Sequence, residues 1–229
     1  MRDQRASAHL QRLREGAWFG KLDEDLQQQI VSRLVPRSVA RGGVIHREHA
    51  PALGLFTLLL GRIGIFKTAQ SGREDLIHVG EAGFWFGELG LLTGRTVVSI
   101  RALTAARVLL LPIAAFEEIV AGEPRHYRPF AELALRRFAL AFQYVAENHL
   151  LPAESLLRVR LAELADMRRL DVPFDGPVVL GLSQDELAKV AGLSRQTANR
   201  LLRELQAEGL IELGPRAIRV LDPARLRAV

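Results

Sequence analysis

Residues 183–213 read SQDELAKVAGLSRQTANRLLRELQAEGLIEL, and their punctuation decides the architecture. Ser183 followed by Glu186 forms a serine-x-x-glutamate capping box, in which side chain and backbone satisfy each other's unpaired N–H groups at a helix start. That helix runs to about Ala191, where Gly192 breaks it. Leu193 reads as a buried turn residue, and Ser194 caps a second helix. Its apolar positions Ala198, Leu201, Leu202 and Leu205 follow the i, i+3, i+4, i+7 spacing of one buried stripe. Arg195, Gln196, Asn199, Arg200 and Arg203 lie on or near the opposite side, offering guanidinium forks and amides that match base edges in a groove. Taken alone, such a helix would be a solvated amphipathic surface. The residues beyond its end argue otherwise: Leu210 to Leu213, a Gly214-Pro215 turn and Ala217 to Val220 make a two-stranded wing. Helix, turn, helix and wing together predict a DNA-binding module.

Composition sets the frame. The chain has 229 residues, 48% of them hydrophobic, enough for two modest cores. No apolar run approaches a membrane span and no signal peptide is legible in the polar start MRDQRASAHLQRLREG, so a cytoplasmic protein without membrane contact is expected. With no cysteine, disulfides, thiolate metal sites and cysteine-ligated iron–sulfur clusters are all excluded. The formal charge of +5 suits a polyanionic partner, yet from Leu151 onward 12 basic residues face 11 acidic ones, a net of +1. The basic character that matters is therefore local, at Lys189, Arg195, Arg200 and Arg203.

Upstream, Gly43 to Pro112 reads as short strands between glycine turns, including Arg62 to Lys67 and Ser99 to Leu103, which suggests an antiparallel β-roll. Pro112 opens a short helix, Ile113 to Val120. A long helix is predicted from Tyr127 to His149, interrupted at Leu151-Pro152, the expected hinge. Ala134, Phe138, Ala141, Val145 and Asn148 step by four and three residues, the seam spacing of a two-stranded coiled coil. The fold class is α+β: residues 1–124 a β-roll sensor with an N-terminal helical segment, 125–151 a central dimerisation helix, and 152–229 the winged helix-turn-helix.

Ser194, Arg195, Thr197 and Arg200, in the pattern serine-arginine-x-threonine-x-x-arginine, together with GELGLL at Gly87–Leu92 and the Arg136-Arg137 pair, make the chain similar to the CRP/FNR family of bacterial transcription regulators. The resemblance implies a cyclic-nucleotide-binding-like jelly roll, a homodimer on a near-palindromic operator, and partners comprising double-stranded DNA, RNA polymerase and a small-molecule effector. Arg195 and Arg200 are expected to donate to guanine edges. The resemblance places Ser183, Ser194 and Thr197 on phosphates and Asn199 on the same face. Gln196 stands where cyclic-AMP receptors of the family carry glutamate, and glutamine suits adenine better than cytosine.

The segment Gly83–Leu103, GFWFGELGLLTGRTVVSIRAL, resembles the family's phosphate-binding cassette. The effector residues it implies are Trp85, Gly87, Glu88, Leu89, Arg95, Thr96 and, from the central helix, Phe142. Two departures weaken the case for cyclic AMP. Arg95-Thr96 lies one residue early relative to the family's arginine-serine pair, and one step along a strand reverses a side chain. Ala141 and Phe142 stand where cyclic-AMP binders carry hydroxyls, and a purine edge left unpaired costs about 1 to 3 kcal/mol per group. Cyclic AMP is thus the effector the resemblance implies and the one these two departures disfavour. Some relatives bind haem through histidine, for which His78 and His149 are the candidates, and the cassette could also be kept for folding alone. Two other functional classes compete for the same residues: a cupin-like metalloenzyme using His46 and His49, disfavoured because strand ligands on one face need even spacing, and a sensor module for a protein partner, which leaves the C-terminal helices unexplained. No catalytic residue and no metal ligand is expected.

Overall fold

The computed structural model describes residues 13–14, 16, 18–171 and 176–227, with side chains outside 167–171. Helix α1 (Glu24–Arg33) starts where the Asp23 carboxylate accepts the Leu26 N–H at 2.8 Å. Eight strands come next: β1 (Val35–Val39), β2 (Val44–His46), β3 (Gly54–Leu60), β4 (Ile63–Thr68), β5 (Glu74–Gly80), β6 (Trp85–Phe86), β7 (Ser99–Ala102) and β8 (Ala106–Pro112). They form two antiparallel four-stranded sheets, in the orders β1-β8-β3-β6 and β2-β7-β4-β5. A short helix, α2 (Glu88–Thr93), lies between β6 and β7.

Side-chain alternation divides the core of this roll. Along β3 and β8, Leu55, Leu59, Leu109 and Leu111 face an outer layer with Phe19, Leu26, Ile30, Phe116 and Phe130. Phe56, Leu58, Val108 and Leu110 face inward, against Phe84, Phe86 and Ile100. One irregularity breaks the alternation on β5, where Ile65 pairs with His78 but Phe66 pairs with Leu76, leaving Ile77 as an extra, bulged residue. The bulge turns His78 into the roll while Leu76 and Val79 join the core of the C-terminal domain.

Helix α3 (Ile113–Gly122), a 3-10 turn at Pro124–His126, α4 (Tyr127–Leu150) and α5 (Ala153–Asp171) complete the centre of the chain. Among the described residues no helix is long and apolar enough to cross a membrane. Ala134 is buried within the single chain, and so leaves the expected seam. The exposed large apolar residues of α4 beyond its first turn are Leu135, Phe138, Phe142, Val145 and Leu150. Seam spacing holds for the first four of these, but the stripe is rotated by one residue at each of two positions.

The C-terminal domain contains α6 (Gln184–Val190), α7 (Arg195–Ala207), β10 (Ile211–Gly214), β11 (Ala217–Val220) and α8 (Pro223–Arg227). Its sheet has a third strand, β9 (Val178–Leu180), paired to β11 through Ile218 and Leu180. Three residues are too few to show an alternation in sequence. The domain rests on the roll: Arg62 pairs with Glu186 at 2.7 Å and donates to the Gly181 carbonyl, and Glu81 accepts from the Gly181 N–H.

Where α4 meets α5, Arg160 is fully buried, 2.6 Å from the Glu163 carboxylate, 3.6 Å from Glu147 and stacked 3.4 Å over the Tyr144 ring. Burial pushes the Glu163 carboxyl up to about 7, against the pull of Arg160. The Glu147 carboxylate beside it pushes the same way as burial, so just above the ordinary value of 4.5 the folded chain holds a proton in this cluster that the unfolded chain has released. This group's contribution to stability is therefore complete below pH 4.5 and is lost as pH rises towards 7. Thermal melts of wild type and Glu163→Gln at pH 5 and pH 7 check this. The wild type is expected to lose more stability than the variant over that interval, and an equal loss counts against the buried proton.

Candidate functional site

Two capped helix starts build the polar face of the C-terminal domain. The Ser183 hydroxyl accepts the Glu186 N–H at 3.2 Å while Glu186 accepts the Ser183 N–H at 2.7 Å, the capping box read from sequence. Glu186 also carries the pair to Arg62, so one carboxylate serves both the cap and the contact with the roll. The Ser194 hydroxyl accepts the Thr197 N–H at 3.1 Å and lies 2.8 Å from the Thr197 hydroxyl. Ala198, Leu201, Leu202 and Leu205 are buried, which fixes the rotation of α7 and turns its polar side outward. Gln196, Asn199, Arg200, Arg203 and Glu204 line a shallow concavity there. Arg195 pairs with Asp185 at 2.8 Å and Arg200 with Glu204 at 2.7 Å, but both guanidiniums are exposed, and such pairs exchange readily for a phosphate or a base edge. Ser183 sits apart, half-buried at the start of α6.

Inside the roll lies a cavity of about 210 Å³ walled mainly by apolar side chains of both sheets, α2 and α4. His46 stacks parallel to Phe56 and Phe86, with ring centroids 6.2 and 6.4 Å away, and among the described residues neither of its nitrogens has a hydrogen-bond partner. Nδ1 of His78 and Oε2 of Glu88 are likewise unpaired. Burial lowers His46 to about 4. It lowers His78 to about 3, helped by the positive charges of Arg137 and Arg160. Both imidazoles are therefore neutral at pH 7. Burial raises the Glu88 carboxyl, partly offset by Arg137 and the backbone amides of Glu88 and Gly87. Arg137 stacks 4.3 Å over Phe84 and donates one hydrogen bond, at 3.3 Å, to the Trp85 carbonyl. Gly87 has φ +97°, and a Cβ there would meet the Gly54 carbonyl oxygen at 2.7 Å, so the start of α2 requires glycine.

The structure brings Gly87, Glu88, Leu89 and Thr96 of the expected effector residues to this cavity and leaves three outside. Trp85 is buried but points to the other side of β6, its ring 4.9 Å from Trp18 and 5.5 Å from Phe19, because alternation sends Phe84 and Phe86 inward instead. Arg95 is bridged to Pro51 and donates to the His49 carbonyl at 3.0 Å on the exposed surface. Phe142 is 68% exposed beside Phe138, and its neighbour Ala141 lines the cavity. Thr96 contributes little polarity, since its hydroxyl is committed to the Arg47 and Ala50 carbonyls. His46, Phe84, Phe86, Leu140 and Tyr144 line the cavity without being marked by sequence as effector contacts. The FWF alternation was a readable signal for the two phenylalanines.

Haem is tested by the same geometry. His78 offers a neutral imidazole, whereas His149 is exposed at the end of α4 and lies away from the cavity. Of the two histidines His78 alone reaches the cavity, so His149 is removed as a haem ligand there.

Comparison with known proteins shows the same division. Residues 36–123 match the model of the cyclic nucleotide-binding domain, and residues 153–229 match that of the Crp-like helix-turn-helix domain. A CRP-like cAMP-activated global transcriptional regulator of Mycobacterium tuberculosis is 25% identical over 200 residues, covering 86% of this chain and 88% of the relative. The cyclic AMP receptor protein of Thermus thermophilus is 27% identical over 184 residues, covering 76% and 78%. The structure of FixK2 from Bradyrhizobium japonicum superposes with a TM-score of 0.73 over 85% of this chain and 96% of that one, at 19% identity, which speaks to fold. A roll matching the cyclic nucleotide-binding domain, followed by one long helix and a Crp-like helix-turn-helix, together with these relatives places the chain in the CRP/FNR family of DNA-binding transcription regulators.

Proposed function

We propose that this regulator is a cytoplasmic, non-catalytic homodimer whose operator affinity is set by a small, largely apolar effector in the roll. The observation that carries the reading is the division of labour on α4. Arg137, Leu140, Ala141 and Tyr144 wall the cavity, while Leu135, Phe138, Phe142 and Val145 stand exposed on the same helix. An effector that favours one position of α4 would shift how two such helices pair, and with them the spacing of the two reading heads. In this reading Arg195 and Arg200 take guanine edges, Gln196 an adenine, and Ser183, Ser194 and Thr197 phosphates, with Asn199 completing the face. RNA polymerase is the further partner.

The effector differs from that of the cAMP-activated mycobacterial relative. With Arg95 outside the cavity, Arg137 is the guanidinium left to meet a cyclic phosphate, and the remaining wall is mostly hydrocarbon. Calorimetric titration of DNA-free protein with cyclic AMP is expected to give no saturable heat. Saturable micromolar binding would overturn the apolar-effector reading and mean that Arg95 swings inward.

A further inference from the structure

We infer a divalent-metal site at the root of the central helix, formed by Asp23, Asp25 and His126 with Glu123 at its margin. Asp23 and Asp25 belong to the start of α1, and His126 ends the 3-10 turn that leads into α4. Ligand atoms of Asp23, Asp25 and His126 all lie within 4.8 Å of one another. Nε2 of His126 is 3.6 Å from the Asp23 carboxylate and 3.8 Å from that of Glu123.

The imidazole is the independent sign of a ligand. The His126 side chain is 1% exposed, and among the described residues neither ring nitrogen has a hydrogen-bond partner. A buried ring with two unsatisfied nitrogens is costly, and a nitrogen facing two carboxylates at distances too long for hydrogen bonds is satisfied by a cation placed between them. At metal–ligand distances of about 2.0–2.2 Å, donors on a tetrahedral ion stand roughly 3.3–3.6 Å apart. The His126–Asp23 separation is already there, and half-exposed carboxylates can close the remainder by rotation.

The carboxylates are held as ligands usually are. One oxygen of Asp23 accepts the Leu26 N–H at 2.8 Å, one oxygen of Asp25 accepts from Gln29 at 2.7 Å, and one oxygen of Glu123 meets Arg125 at 2.5 Å. Each leaves its second oxygen available while its plane is oriented by a neighbour. An imidazole among carboxylates suits a divalent first-row cation, with borderline Zn²⁺ tighter than the harder Mn²⁺ by the general order of affinities; Mg²⁺ and Ca²⁺ prefer all-oxygen sites. Bound there, the ion would join the start of α1 to the base of α4, through residues that line neither the effector cavity nor the concavity on α7.

The test uses full-length, chelator-stripped protein titrated calorimetrically with ZnCl₂ and with MnCl₂, in parallel with Asp25→Asn, His126→Gln and, as a control, His49→Gln. One zinc per chain is expected in wild type and in the exposed-histidine control, with manganese weaker. Both site variants should weaken zinc at least about tenfold and abolish a zinc-dependent rise in melting temperature. Asp25 is exposed, so its variant reports even if loss of the buried imidazole impairs folding. Absence of zinc binding, or equal affinity in wild type and Asp25→Asn, would overturn the site.

Discussion

Replacing Arg195 and Arg200 together with alanine is expected to abolish specific operator binding and leave the fold intact. Both guanidiniums are largely exposed, 74% and 62%, and their partners Asp185 and Glu204 are themselves half-open to solvent. Pairs of this kind contribute about 0–1 kcal/mol, so the melting temperature should move little. At a base edge the same groups are worth far more. A bidentate contact discriminates by about 1 to 3 kcal/mol, and two such residues in each of two half-sites multiply to a loss of at least about a thousandfold. Fluorescence anisotropy on an operator duplex at one fixed salt concentration, alongside a circular dichroism melt, separates the two effects. Retention of operator affinity within about tenfold would remove these arginines from the reading face. Selection from random duplexes adds a directional check at Gln196, which should select adenine, and Gln196→Glu should move the preference towards cytosine.

The second large effect is expected from Phe138→Asp combined with Phe142→Asp. These side chains are 64% and 68% exposed and stack on each other, so the single chain loses little when they are replaced. In a pair of helices each phenylalanine would bury on the order of 150–250 Å². Four carboxylates brought together at one seam would instead repel and remain unpaired. Sedimentation should find the double variant monomeric with an unchanged melting profile at low concentration. Operator affinity should fall by about 10²–10⁴-fold, because the second half-site contact no longer benefits from its high effective concentration. A variant that remained dimeric would place the subunit contact elsewhere.

The winged module was legible because its signals are local. Capping serines at 183 and 194, the glycine at 192 and an apolar stripe within one helix each act over a few residues, and every one lies where sequence placed it. The effector cavity was legible only in part, because strands and helices far apart in sequence meet there. His46, His78 and Arg137 come from β2, β5 and α4, and no periodicity links them. Trp85 and Phe142 were misplaced for a common reason. Each neighbours a true lining residue, Phe84 and Phe86 in one case and Ala141 in the other, and a one-residue step rotates the side chain to another face. Asp23 and His126 show the same limit more sharply: each looks like an ordinary turn residue until the fold brings them within 3.6 Å.

The extra residue in β5 shortens the chain of command inside this molecule. Because Ile77 is unpaired, His78 looks into the cavity while Leu76 and Val79 are planted in the hydrophobic core of the reading domain. Sensor and reader thus share one short stretch of backbone, residues 76–79. A molecule pressing on that imidazole pushes on a strand whose other face is already the bearing surface of the DNA-binding domain, so a signal need not travel the length of the central helix to be felt there.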